Sequence, residues 1–211
     1  DLRGRERKGD EGNFVRLGVD QDDGIAQVEL NDPHHFNSFS WALSDDFERA
    51  ISCLHDLRMS GAVLQGAGQH FSVGGNPYRS SQFASVPLPT LARTCRELYK
   101  GFVGMRFLST AVICAAHGAL IGGGVAACLN TDYIVAESST TVHHGNLSRG
   151  VCPLGLLSQT FVRVVGRSRA LGIYLQDAKL NSAAALELGL VNELRRDVDE
   201  AQARARSVAF H

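Results

Sequence analysis

The side chains and amides with the clearest chemical use lie in two glycine-rich stretches. In Ala115–Asp132, AAHGALIGGGVAACLNTD, three adjacent glycines, Gly122, Gly123 and Gly124, separate an apolar strand from a segment of small residues. Without a Cβ the backbone there can adopt positive φ and lie close against a ligand. The first N–H groups of a helix have no intrahelical partner, so a ligand oxygen that becomes negative during a reaction would be stabilised. A tight turn that merely lets helix and strand pack closely would use the same glycines. The second stretch, His70-Phe71-Ser72-Val73-Gly74-Gly75-Asn76, follows another apolar strand and a Gly66-Ala67-Gly68 turn. Two strand ends of this kind can aim two backbone donors at one oxygen. Gly74, Asn76 and Tyr78 beside one of these ends, and Gly122 beside the other, are candidate substrate contacts. Removing one donor of such an oxyanion hole typically lowers rate by about 10²–10³.

Other polar residues could add to this site. His143, His144 and Asn146 lie in a long segment of little periodicity, 138–158, and such segments in compact domains are usually functional. A histidine there could donate a proton near neutral pH, and an asparagine could hold a carbonyl or a water. Each could equally be a loop residue satisfied by backbone. Ser148 and Arg149 suit an acidic substrate group or solvent. Cys152 has no evident activating base. His117 and His70, at strand ends, read as packing histidines.

These groups must be positioned by an ordinary globular chain. It has 211 residues, 44% hydrophobic and 20% charged, with a net charge of −1. That balance offers no electrostatic case for nucleic acid or an anionic membrane. No apolar run approaches the roughly 20 residues of a transmembrane span, and the start has no signal-peptide pattern. Five cysteines, without metal-like spacing, point to a reducing, cytoplasmic compartment with no disulfides and no metal. The start at Asp1 rather than Met reads as a fragment cut from something longer.

Residues 1–13 read as a linker or disordered tail. Strands 15–19 and 25–30 flank an Asp22-Asp23-Gly24 turn and form a hairpin. Ser40 caps a helix over 41–57. Further strands are expected at 61–65, 111–116, 133–137 and 190–194. Helices are expected at 90–108, 123–129, 156–176, 182–188 and 198–210, with a polar loop over 78–89. Alternation of this kind gives an α/β class with mostly parallel pairing.

At this point a resemblance enters. HFSVGGN, AAHGALIGGGVAACLNTDYIVAES and AKLNSAAALELGLVNEL resemble, in order, three segments of the crotonase (enoyl-CoA hydratase/isomerase) superfamily. Asn31-Asp32-Pro33 with Asn37-Ser38-Phe39 is similar to a fourth. The resemblance covers residues 14–196. It implies a ββα spiral core over 14–196, with 197–211 beginning a C-terminal helical region that is largely truncated. It also implies an acyl thioester substrate, carried on coenzyme A or on the pantetheine arm of an acyl carrier protein, whose oxygen would sit between the backbone N–H groups of Val73 and Gly123, with no other cofactor, and a homotrimer or hexamer.

The family's hydratases carry a glutamate two residues after the triple glycine and another in the following loop. Here those places hold Ala126 and Asn146, and neither can act as a base. The place of the isomerase aspartate falls near Pro153-Leu154. Decarboxylation of a β-carboxyl or vinylogous thioester needs no base, because loss of CO₂ itself generates the enolate. The expectation is therefore a lyase, such as the decarboxylases of glutaconyl-type intermediates in polyketide β-branching. A hydratase with atypical residues and a non-catalytic thioester-binding or assembly protein remain the alternatives.

Overall fold

The computed structural model describes residues 13–75 and 86–210. In chain order the strands are β1 (Val15–Val19), β2 (Ile25–Leu30), β3 (Gly61–Gly66), β4 (Val112–Ala116), β5 (Ala119–Ile121), β6 (Tyr133–Glu137), β7 (Thr141–His143), β8 (Lys179–Asn181) and β9 (Glu193–Arg195). The helices are α1 (Trp41–Asp56), α2 (Leu88–Leu98), α3 (Lys100–Met105), α4 (Gly123–Leu129), α5 (Leu157–Val165), α6 (Arg167–Leu175), α7 (Ser182–Glu187) and α8 (Val198–Phe210). A six-stranded sheet runs β1-β2-β3-β4-β6-β9, antiparallel only between β1 and β2. A second sheet, β5-β7-β8, stands apart from it.

The large sheet is covered on both faces, which is why β3 (GAVLQG) is buried along its whole length. Ala62 and Leu64 point into a core shared with α1, α3, α4 and α5. Val63, Ile113, Ala115 and Val135 point the other way, onto Ala201, Ala205 and Ala209 of α8. Alanine at every fourth position lets α8 approach closely: a Cβ on Gly61 would lie 2.2 Å from the Ala209 carbonyl oxygen.

The hairpin, the Ser40 cap (its Oγ accepts from the Leu43 amide, 3.2 Å) and the strand over 61–65 form as the sequence indicates. Two expected helices divide. The one over 90–108 breaks at Tyr99 into α2 and α3, and the one over 156–176 breaks at Gly166, whose φ is +80°. The last strand begins at Glu193, not Leu190, because Leu190 and Val191 turn into the core. Strands β5, β7 and β8, three residues each, were not separable from turns by periodicity. As a result the triple glycine follows β5 rather than β4 directly.

Asn37 organises the entry to the first glycine stretch. It is fully buried with φ +52°, a conformation asparagine tolerates better than most residues. Its Oδ1 accepts from the Asp32 amide at 2.8 Å, and its Nδ2 donates to the carbonyls of Ala67 and His70, both at 2.8 Å. Asn37→Leu strands all three partners, so we expect a loss of about 3 kcal/mol or more, read by denaturant unfolding. A loss under about 1 kcal/mol would show that these bonds are readily replaced.

Candidate active site

The first glycine stretch is stitched to β5. Ser72 bridges Leu120, and its carbonyl accepts from the Ile121 amide at 3.2 Å. The Ser72 hydroxyl donates to the Asn37 carbonyl (2.7 Å) and accepts from the Gly74 amide (3.2 Å). These bonds explain two close-packed glycines. A Cβ on Gly124 would lie 2.1 Å from the Ser72 oxygen, and one on Gly74, at φ +81°, would lie 2.3 Å from the Ile121 oxygen and 2.7 Å from the Gly123 nitrogen.

One sequence expectation needs correction here. The Val73 amide is not available as a donor: it is spent on the Phe36 carbonyl at 3.1 Å. The Gly74 amide is spent on Ser72 as well. The next amide, that of Gly75, has no acceptor among the described residues, because the bridge to Phe39 uses the Gly74 carbonyl instead. Opposite it, the Gly122 amide donates to the His143 carbonyl at 3.0 Å, whereas Gly123, the first residue of α4, has no intrahelical acceptor. A Cβ on Gly123 would sit 3.4 Å from the Gly75 nitrogen. The neighbouring pair of unspent amides is thus Gly75 and Gly123. The doubled glycine, Gly74-Gly75, was the sequence signal that could have placed the donor two residues later.

Asn146 is brought to this pair. It is buried, its Nδ2 donates to the Cys152 carbonyl at 3.2 Å, and its Oδ1 has no hydrogen-bond partner. That oxygen lies 3.7 Å from where a Cβ on Gly122 would be. The two histidines diverge from the amide pair. The His143 Nε2 lies 3.1 Å from the Asp177 Oδ1, within ion-pair distance. Asp177 has φ +47°, and its carboxyl is held below the usual carboxylate range by a hydrogen bond from Ser148 and by the charges of His143 and Arg149. His144 is wedged edge-on between Phe161 and Tyr174, with ring centroids at 5.4 and 4.9 Å. Its backbone carbonyl, by contrast, lies 3.5 Å from where a Cβ on Gly122 would be. Sequence reasoning gave Asp177 no role, since its neighbours in space are about thirty residues away in the chain. Arg149 donates to the Gly145 carbonyl at 2.8 Å. Asn76 and Tyr78 lie outside the described residues.

Ala126, at the place of the first family glutamate, is fully buried. A Cβ on Gly155 would lie 2.6 Å from the Phe102 ring and 3.3 Å from the Ala126 Cβ, so this wall of the site is apolar and filled. Among the described residues no cluster of three or more His, Cys, Asp or Glu side chains could hold a metal. Nor is any helix long and apolar enough to cross a membrane.

Burial lowers the pKa of His144 and of His117 below their ordinary 6.5. The His117 Nε2 lies 3.0 Å from the Gly68 carbonyl, so that nitrogen carries the proton of the neutral ring. With folded pKa values depressed, the unfolded chain takes up protons first as pH falls. The stability these rings contribute is complete above about pH 6.5 and declines below it. The melting temperature should fall between pH 7 and 5, and His117→Gln, which can keep the bond to Gly68, should flatten the decline. An unchanged slope would contradict this.

A family model for enoyl-CoA hydratase/isomerase matches residues 20–211. A Mycobacterium tuberculosis protein described as a probable enoyl-CoA hydratase is 32% identical over 174 residues, covering 80% of this chain and 61% of that protein. The 1,2-epoxyphenylacetyl-CoA isomerase of Escherichia coli is 28% identical over 195 residues, 88% of this chain and 73% of the isomerase. Among solved structures, a probable enoyl-CoA hydratase/isomerase from Mycobacterium abscessus superposes with a TM-score of 0.81 at 26% identity, over 93% of this chain and 74% of that one. The chain therefore spans about three fifths to three quarters of the length of these relatives. With the family model matched along nearly all of its length, and with the fold and paired glycine segments in place, the chain belongs to the enoyl-CoA hydratase/isomerase, or crotonase, family.

Proposed function

We propose that this chain processes an acyl thioester, on coenzyme A or on a carrier-protein pantetheine arm, by stabilising its enolate between the amides of Gly75 and Gly123, and that the reaction is loss of CO₂ from a β-carboxyl or vinylogous (glutaconyl-type) thioester. The observation that carries the choice of reaction is the wall around the amide pair. Ala126 and Asn146 stand where a hydratase needs carboxylates. In decarboxylation the C–COO⁻ bond breaks and its electron pair enters the conjugated thioester. The oxygen held by two N–H donors takes up the charge, CO₂ leaves, and a proton then adds to carbon.

The hydratase reading draws support from the names of the mycobacterial relatives. One comparison separates the two: a 3-methylglutaconyl thioester, CoA-bound and carrier-bound, followed by mass spectrometry, beside water addition to crotonyl-CoA. Loss of 44 mass units from the first without hydration of the second is expected. Hydration of crotonyl-CoA with no CO₂ release from any carboxyl thioester would overturn the proposal.

A further inference from the structure

Tyr99, which breaks the expected helix over 90–108, stands over both unspent amides. Its hydroxyl oxygen lies 3.0 Å from where a Cβ on Gly75 would be, and its Cε1 lies 3.3 Å from where a Cβ on Gly123 would be. One phenol ring thus borders the space left by the missing side chains of the two glycines that carry the amides. The ring is fixed from behind. It is only 9% exposed and packs against Phe102 edge-on at 5.1 Å and against Phe39 at 6.4 Å. Phe102 and Phe39 also pack on one another, at 4.6 Å. The φ of −112° and ψ of 17° at Tyr99 end α2 and turn the chain into α3, an arrangement that places the ring between the two helices and the glycines. Phenylalanine would satisfy all of these ring contacts, so packing gives no reason for the oxygen.

We infer that the Tyr99 hydroxyl is a third hydrogen-bond donor to the thioester oxygen, set beside the amides of Gly75 and Gly123. This rests on the two-amide site proposed above but not on decarboxylation as the reaction. A donor serves this purpose only if it keeps its proton, and burial pushes the Tyr99 phenol well above its ordinary range. It holds that proton throughout the neutral range while the thioester oxygen gains charge.

Tyr99→Phe removes the oxygen and keeps the ring. Turnover of whichever thioester the protein accepts should fall about tenfold or more with KM changed by less than about threefold, the split expected when an interaction strengthens in the transition state. A second readout is independent of turnover. The full chain is loaded with butyryl-CoA carrying ¹³C at the carbonyl, and the carbonyl stretch is read by infrared difference spectroscopy. Each donor weakens the C=O bond, so the band should lie below its solution value in the parent protein and move part of the way back in Tyr99→Phe. If that shift is seen but no carboxyl thioester loses CO₂, the decarboxylase reading falls and the third donor stands. An identical band position and turnover in the two proteins overturns the inference. So does a parent protein that leaves the carbonyl band at its solution value. A Tyr99→Phe protein without a cooperative melting transition would likewise overturn it, by showing that the hydroxyl is structural.

Discussion

Gly123→Ala is expected to lower turnover by about 10² or more while leaving the melting temperature within a few degrees. The added methyl would sit 3.4 Å from the Gly75 nitrogen, 3.3 Å from the Gly74 Cα and 3.3 Å from the Tyr99 ring edge. Those contacts are tight rather than impossible, and alanine suits the first position of a helix. The fold therefore absorbs the change by shifts of a few tenths of an ångström. The site does not, because the methyl stands between the two donors and displaces an oxygen bound to both. Loss of one such donor is worth about 10²–10³ in rate. Gly74→Ala and Gly124→Ala provide the contrast. There the new Cβ would lie 2.3 Å from the Ile121 oxygen or 2.1 Å from the Ser72 oxygen, and the whole protein should be destabilised. Turnover of Gly123→Ala close to that of the parent, on a substrate the parent accepts, would show that these amides do not hold the reacting oxygen.

Ala126→Glu, which restores the first family carboxylate, is expected not to create a hydratase. The position is fully buried, with the Phe102 ring and Gly155 against it. Inserting the longer side chain overpacks this wall, and a carboxyl group there must either lose solvation or stay neutral. Together these should destabilise the protein by on the order of 3 kcal/mol, read as a fall in the denaturant midpoint. A neutral carboxylic acid cannot act as the base for water addition, so crotonyl-CoA should remain unhydrated. A stable Ala126→Glu protein that hydrates crotonyl-CoA would show that the site lacks only a base, and would return the chain to the hydratases.

The elements that position the site were legible where one local signal sufficed. Short apolar runs bounded by turn residues gave β1 to β4, the Ser40 hydroxyl marked the start of α1, and the triple glycine marked the start of α4. The choice of donor was only half legible: the doubled glycine hints at Gly75, but what rules out Val73 is that the Phe36 carbonyl, some forty residues earlier, takes its hydrogen. Asn146 reached the glycines as expected. The rings of His143 and His144 did not, because they turn toward Asp177 and toward the rings of Phe161 and Tyr174. Tyr99 carried no signal at all, since a single tyrosine in an amphipathic pattern reads as core. Its part in the site depends on a helix break that no proline or glycine announces.

The bridge between Ser72 and Leu120 has one more consequence. The Gly75 amide hangs from the segment that leaves the large sheet, and the Gly123 amide from the end of the small one. The parallel bridge, the Ile121-to-Ser72 and Phe71-to-His117 hydrogen bonds and the bond from the Ala119 amide to the His70 ring set the spacing between them. A sliding of one layer past the other by a fraction of an ångström would therefore misalign both donors together. The apparatus has no half-armed state, so partial loosening of this seam should switch activity off abruptly rather than grade it down.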